Sequence, residues 1–407
     1  MSLPLLLAEL TRHDIHLAVE GDKLRVRAPE GAVSPQLRER LAQNKEALLR
    51  HLIAPDAPAY FAPSSGQRRL WFLDKIHPGR AEYNVVLGWR LEGPLDAPAL
   101  RASLGELARR HESVRTRFEE IDGEPVAVVL PSSAIDLPIL TGPEVPFAER
   151  ESAVREILAR EGGRPFELTS EALFRGTLFR LGDADHLLVL TFHHIVTDGA
   201  SIAVLSSELA ALYARHAGDA SAALRAAPEK HFRDYARHEH TWLRSAEADR
   251  RRAFWHERLA GMPDLRLLAA PAVPGASRAK TSVTFRLPAS LVSELKAWSQ
   301  RESSTLFMTL FAAYAGLLHR YSGQTDFGVG AILANRGADA WREVTGFLAN
   351  TIVLRCDLSG DPTFRELLGR VYRVVSEGIA NQDLPYEEIV RASQRRRTTA
   401  RDPLIQA

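Results

Sequence analysis

The stretch His186–His216, HLLVLTFHHIVTDGASIAVLSSELAALYARH, decides the fold. Leu187 to Phe192 is an apolar run without Gly or Pro, the pattern of a strand buried on both faces. It ends in His193 and His194, and Asp198, Gly199 and Ser201 follow. Beyond them Ile202, Leu205, Leu209 and Leu212 recur at three- and four-residue spacing, which predicts a helix starting at once. Two imidazoles therefore stand where a buried strand meets a turn, a place that holds reactive groups rigidly while exposing them to a cleft. Asp198 can cap the first free amides of the helix, and Gly199 supplies backbone freedom.

Outward from this stretch the same two periodicities alternate. Val126–Leu130 and Thr177–Leu181 read as strands, and Leu100, Leu104 and Leu107 mark a helix. In the second half Ser282–Leu287 and Phe327–Leu333 read as strands, with helices over Leu291–Trp298 and Thr305–Leu318. The class is therefore α/β (α+β). Gly328-Val329-Gly330 is no dinucleotide fingerprint, because a third glycine is missing at the required spacing.

The first fifty-three residues form a unit of their own. A helix opens near Pro4; Ile15, Leu17 and Val19, then Leu24 and Val26, alternate with polar residues around Gly21-Asp22, giving a hairpin. Ser34-Pro35 starts a third element with Leu37, Leu41, Ala47 and Leu48 facing inward, as two helices or one bent one. Ala54–Pro63, carrying Pro55, Pro58 and Pro63, reads as a linker. The expected division is 1–53, a linker over 54–63, and two subdomains over 64–225 and 226–407.

Composition narrows the function classes. The 407 residues carry 52 Lys and Arg against 51 Asp and Glu, so neither nucleic acid nor an anionic membrane is the obvious partner. Cys356 is the single cysteine, which rules out an internal disulfide and a cysteine-based metal cluster; no metal site is expected. The Met1 segment lacks a basic start followed by a long apolar core, and Leu306–Leu318 is too short and mixed to span a bilayer. A soluble cytoplasmic protein is expected.

The pattern His193-His194-x-x-x-Asp198-Gly199 does not stand alone. Ser64–Leu73 (SSGQRRLWFL), Arg110–Phe118 (RHESVRTRF), His231–Tyr235, Val344–Thr351 (VTGFLANT), Asn381–Glu387 and Arg401–Gln406 accompany it in order. Together they resemble the condensation domains of nonribosomal peptide synthetases, within the chloramphenicol-acetyltransferase-like superfamily, over Pro63–Gln406. Phe232 and Thr398 depart from the usual Tyr and Asp. The resemblance implies a V-shaped pair of subdomains with a tunnel between them, where an acceptor amine attacks a donor thioester. No cofactor is expected to be bound; the substrates would be phosphopantetheine-linked thioesters on upstream and downstream carrier proteins.

By the same resemblance His194 contacts the reacting amine, His193 packs inward and orients the loop, and the Gly199 amide steadies the developing oxyanion. Asp198 is expected to pair with Arg336 and tie the subdomains across the tunnel, with Ser201 and Asn350 as tunnel residues. The motif forms lean towards members that take an L-configured donor, and Gly199-Ala200-Ser201-Ile202 argues against an epimerisation domain. Family members continue further, so a fragment of a larger synthetase is expected.

Leu3–Leu52 resembles the N-terminal docking domains of the tubulysin-synthetase type. These capture the C-terminal tail of the preceding subunit as a strand at the hairpin edge, where Lys23, Arg25 and Arg27 would favour an acidic tail. Two alternatives stay open: a related acyltransferase that forms an ester or uses coenzyme A, and a catalytically silent recruitment platform.

Overall fold

The computed structural model describes residues 2–131, 135–143, 149–267, 284–394 and 404–407. Helix α1 (Leu3–Arg12) precedes the hairpin of β1 (His16–Glu20) and β2 (Lys23–Arg27), then α2 (Pro35–Gln43) and α3 (Lys45–Ile53). Val19 faces Leu24 across the hairpin, and Gly21 takes the positive φ, 62°, that its two-residue turn needs. Ser34 Oγ accepts the Leu37 N–H at 3.1 Å and starts α2. Leu6, Leu10, Ile15, Leu37, Leu41 and Leu48 close a small core of their own.

Next come β3 (Ala59–Phe61), α4 (Ser65–Ile76), β4 (Asn84–Glu92), α5 (Ala97–Arg110), β5 (Thr116–Ile121) and β6 (Glu124–Val129). They are followed by β7 (Ile139–Thr141), α6 (Arg150–Gly163), β8 (Phe174–Gly182), β9 (Asp185–His193), α7 (Gly199–His216) and α8 (Phe232–Trp242). Strand β3 pairs with β6, so the stretch expected as a linker is in part an edge strand of the sheet β3-β6-β5. Phe61 and Ala62 are buried there, and Leu5 and Ala8 of α1 pack with Ala62 and Val126. The apolar side chains that follow Pro58 outweigh the chain-breaking prolines around them.

The second sheet, β4-β9-β8-β7, places β9 between two antiparallel neighbours. All nine residues of β9 are buried. Leu188, Leu190 and Phe192 meet α5 and α7 through Leu104, Leu107, Leu205 and Leu209, whereas Leu187 and Val189 meet Ile157 of α6. Helices on both faces explain the unbroken apolar run.

The remaining elements are α9 (Ala246–Leu259), α10 (Ala289–Arg301), α11 (Leu306–Ser322), β10 (Asp326–Leu333), β11 (Asn350–Asp357), α12 (Phe364–Ala380) and α13 (Tyr386–Ala392). Strands β10 and β11 are antiparallel, and α12 packs on β11 and α11. Cys356 is buried in β11, where desolvation, then the nearby Asp326 charge, pushes its thiol up to about 12.

The chain forms two compact units: Met1–Ser245 with Ala334–Ala349, and Ala246–Leu333 with Asn350–Ala407. This differs from the expected division at 225/226. Phe232, Tyr235 and Ala236 of α8 join the core of the first unit, and Val344, Phe347 and Leu348 return to that same core. Thr284–Leu287, expected as part of a strand, is irregular and exposed. Ser282, Thr398 and Arg401–Pro403 lie outside the described residues.

Candidate functional site

Strand β9 delivers His193 and His194 into one turn of 3-10 helix, His194–Val196, and Asp198 then caps α7. The His193 ring is buried beside Tyr83 and Phe166, and its Nδ1 accepts the Ile195 N–H at 3.1 Å. Desolvation, with a smaller push from the neighbouring His194 charge, lowers it to about 3. It stays neutral and shapes the turn.

His194 is only half-buried. Its backbone N–H donates to the Tyr83 carbonyl at 2.8 Å, and its ring Nδ1 lies 2.7 Å from the Thr197 carbonyl. A carbonyl only accepts, so Nδ1 carries the proton and Nε2 keeps a lone pair. Phe347 stands edge-on to the ring, centroids 5.1 Å apart at 76°. The Nδ1 bond and the packed ring fix the orientation in which Nε2 presents its lone pair.

Asp198 is 1% exposed and its carboxylate is fully answered. Oδ1 accepts the Ser201 N–H at 2.8 Å and Arg336 Nη2 at 2.9 Å; Oδ2 accepts Arg336 Nη1 at 2.9 Å and the Leu348 and Ala349 amides at 3.0 Å. Arg336 thus binds it through two parallel bonds. The expected Asp198–Arg336 pair is present; both residues belong to the first unit, so the pair secures the 334–349 segment inside that unit. Ser201, expected as a tunnel residue, is fully buried: its Oγ accepts the Gly346 N–H at 2.9 Å and lies 2.8 Å from Asp198 Oδ1.

Asn350 falls in the second unit. Its Nδ2 donates to the Gln382 and Leu384 carbonyls at 2.7 and 2.8 Å, and its Oδ1 accepts the Thr351 and Tyr386 amides at 2.9 and 3.0 Å. Both polar atoms of that side chain are engaged within the second unit, which gives it a structural task there. Gly199 is exposed, and a Cβ there meets nothing within 4 Å. It does not use the left-handed region, so the expected need for backbone freedom is corrected; the position offers an open face at the start of α7.

Three neighbours escaped the sequence reading. Gln67 closes a capping box with Ser64 and donates Nε2 to the Ile195 carbonyl at 3.1 Å, fastening α4 to the histidine turn. Its Ser-x-x-Gln spacing is a readable capping signal. Phe347 packs on His194, and Gly346 has φ 148° with Phe232 lying where a Cβ would go. Both sit inside VTGFLANT, but nothing local says what they touch.

Lys23, Arg25 and Arg27 are all exposed on β2. Arg25 is paired with Glu20 across the hairpin. A groove of about 770 Å³ runs beside β2, lined by Lys23, Leu24, Val26, Val33, Arg38 and Lys45 among others; Arg25 and Arg27 lie outside it. Within the sheets of the described residues, β2 pairs with β1 alone. Among the described residues no three side chains are grouped to hold a metal ion, and no helix is long and apolar enough to cross a membrane.

Comparison with known proteins places this geometry. The condensation-domain family model matches residues 60–407, and that of the TubC N-terminal docking domain matches residues 5–53. One of the linear gramicidin synthase subunits of Brevibacillus parabrevis is 37% identical over 380 residues, covering 92% of this chain and 5% of that much longer protein. Among solved structures, the X-domain from teicoplanin biosynthesis superposes with a TM-score of 0.74 at 30% identity, covering 85% of this chain and 76% of that one. The first condensation domain of the calcium-dependent antibiotic synthetase, in complex with a substrate analogue, gives 0.70 at 25% identity over 82% and 78%. With its histidine turn, its buried Asp198 and an N-terminal helix-hairpin-helix segment that has a small core of its own, the chain belongs to the condensation-domain family of nonribosomal peptide synthetases and carries a TubC-type docking domain ahead of it.

Proposed function

We propose that this chain joins a donor acyl or peptidyl thioester to the amine of an acceptor aminoacyl thioester, each carried on the phosphopantetheine arm of a partner carrier protein. The observation that supports this most is His194: a half-buried imidazole with Nδ1 engaged by Thr197 and Nε2 available. An α-amino group has a pKa of about 8, so roughly a tenth is neutral at pH 7. Its nitrogen attacks the donor carbonyl, forming the C–N bond; Nε2 takes the amine proton as charge develops; the C–S bond breaks and the proton leaves with the carrier thiol. Base assistance is worth roughly 10²- to 10⁴-fold, whereas alignment supplies about 7–11 kcal/mol, so positioning contributes more than proton transfer. The exposed Gly199 amide, at the start of an 18-residue helix, suits the oxyanion.

The groove beside β2 supports a second part of the reading, capture of an acidic C-terminal tail from the preceding synthetase subunit. Lys23, Arg38 and Lys45 bring positive charge to it, and Leu24, Val26 and Val33 bring apolar surface.

The experiment offers the chain two separately loaded carrier proteins and follows acyl transfer by mass spectrometry. The expected product is an amide on the acceptor carrier, reduced severely by His194→Ala. Full rates for the variant across several substrate pairs remove His194 from the chemistry, and an ester or a coenzyme A adduct overturns the amide assignment.

A further inference from the structure

A buried polar chain outside the histidine turn ends on the segment that holds Asp198. His111, at the C-terminal end of α5, lies with Nε2 3.1 Å from Glu208 Oε2 of α7 and Nδ1 3.2 Å from Thr345 Oγ1. Thr345 Oγ1 is 2.7 Å from Ser113 Oγ. Arg110 Nε donates to the same Glu208 oxygen at 2.7 Å, and its Nη2 reaches the Arg225 and Ala226 carbonyls. His111, Ser113, Glu208 and Thr345 are all buried, and all belong to the first unit.

Glu208 only accepts, so Nε2 carries hydrogen; Nδ1 and the Thr345 hydroxyl share the next bond, and that hydroxyl shares another with Ser113. Thr345 is followed by Gly346, whose N–H bonds Ser201, by Phe347 against His194, and by the Leu348 and Ala349 amides on Asp198.

We propose that the His111–Thr345 bond is a positioning device for the condensation site: it sets the register of residues 345–349, and through Phe347 and Asp198 the orientation of the His194 ring. His111 and Thr345 touch neither substrate. They act on the base from behind. The inference rests on the reading of His194 as the base, and a buried chain of this kind resists sliding because any shift leaves polar atoms unanswered.

The test compares Thr345→Val, which keeps shape and loses the hydroxyl, with Thr345→Ser, which keeps it. Thr345→Val is expected to lower kcat about tenfold or more with KM for each carrier within about twofold, because misplacement by about 1 Å is enough for such a loss. Thr345→Ser is expected to stay within about twofold of the parent. In nitrogen-15 NMR of labelled histidine, without substrates, Thr345→Val shifts the His194 ring signals and Thr345→Ser leaves them in place. His111→Asn and His111→Gln form a second pair: Asn reaches Thr345 and not Glu208, Gln the reverse, so Asn retains the His194 signals and the higher kcat. Should Thr345→Val fail to fold, this second pair decides. Unmoved His194 signals in Thr345→Val, or Gln outperforming Asn, overturn the proposal. Absence of condensation by the parent chain refutes the amide reading alone, since the NMR comparison still settles the positioning.

Discussion

Thr11 Oγ1 accepts the backbone N–H of Ala62 at 3.0 Å, joining the last turn of α1 to the residue that follows β3. The same hydroxyl donates to the Ala8 carbonyl at 2.7 Å, Arg244 donates to the Arg12 carbonyl, and Arg237 pairs with Asp14. The docking domain is therefore built onto the first unit. Removing residues 1–53 strips Leu5 and Ala8 from Ala62 and Val126 and is expected to destabilise what remains by on the order of 2 kcal/mol, a few degrees in Tm. Calorimetry of the two chains checks it; equal Tm values refute it.

Arg336 gives Asp198 two parallel bonds inside a site where the carboxylate is 1% exposed. Arg336→Met leaves a buried charge short of donors and is expected to destabilise the fold by roughly 3–5 kcal/mol. Adding Asp198→Asn to it restores part of that loss, because the charge goes with its partner. Urea unfolding of both variants measures the difference. Arg336→Lys does not substitute, since an ammonium cannot span both oxygens.

Two glycines near the site separate cleanly. A Cβ at Gly346 falls 2.0 Å from Phe232 Cδ2, and the φ of 148° is strained for any other residue, whereas a Cβ at Gly199 meets nothing within 4 Å. Gly346→Ala is expected to lose several kcal/mol, of the order seen for overpacked cores, while Gly199→Ala melts with the parent. Thermal denaturation of both variants reads this directly, and comparable melting points would contradict the packing described around Phe232.

Acid weakens the fold through two histidines that folding takes out of water, His193 and His240. Burial, then the neighbouring His194 charge, holds His193 down at about 3; burial, then the Arg12 charge, holds His240 at about 4. Their unfolded values lie at about 6.5, so between there and the folded values the unfolded chain binds protons that the folded chain refuses. Stability is full above about pH 6.5 and falls as pH drops, by about 1.4 kcal/mol per pH unit for each ring across its window. Urea midpoints from pH 7 to pH 4 test this, and His240→Gln should flatten the slope; a midpoint that does not fall refutes it.

The histidine turn was legible because its signals are local. An unbroken apolar run, a turn, a capping Asp and a helical repeat sit within thirty-one consecutive residues, His186–His216. The hairpin and the helix start at Ser34 were legible for the same reason. What escaped depends on distant partners. Nothing near residue 334 reveals that the chain leaves the second unit, brings Phe347 to His194, and returns at Asn350; the Asp198–Arg336 pair was expected from the family resemblance alone. Ser201 was expected as a tunnel residue, and only the distant Gly346 shows that its hydroxyl is covered. At Ala59–Phe61 proline composition suggested a tether, but pairing with β6 made a strand.

That short strand bears on attempts to rewire synthetases by exchanging their front ends. A crossover placed in the proline-rich stretch before Ala59 would marry a foreign α1 to a native bed of Tyr60, Ala62 and Val126, and mismatched side chains there would loosen both partners. A seam that carries α1, β3, β6 and the facing turn of α8 together keeps the contacts intact. Chimeras cut in this way keep α1 on its native bed, so the N-terminal helices hold a set bearing on the body that follows and do not wander on a leash.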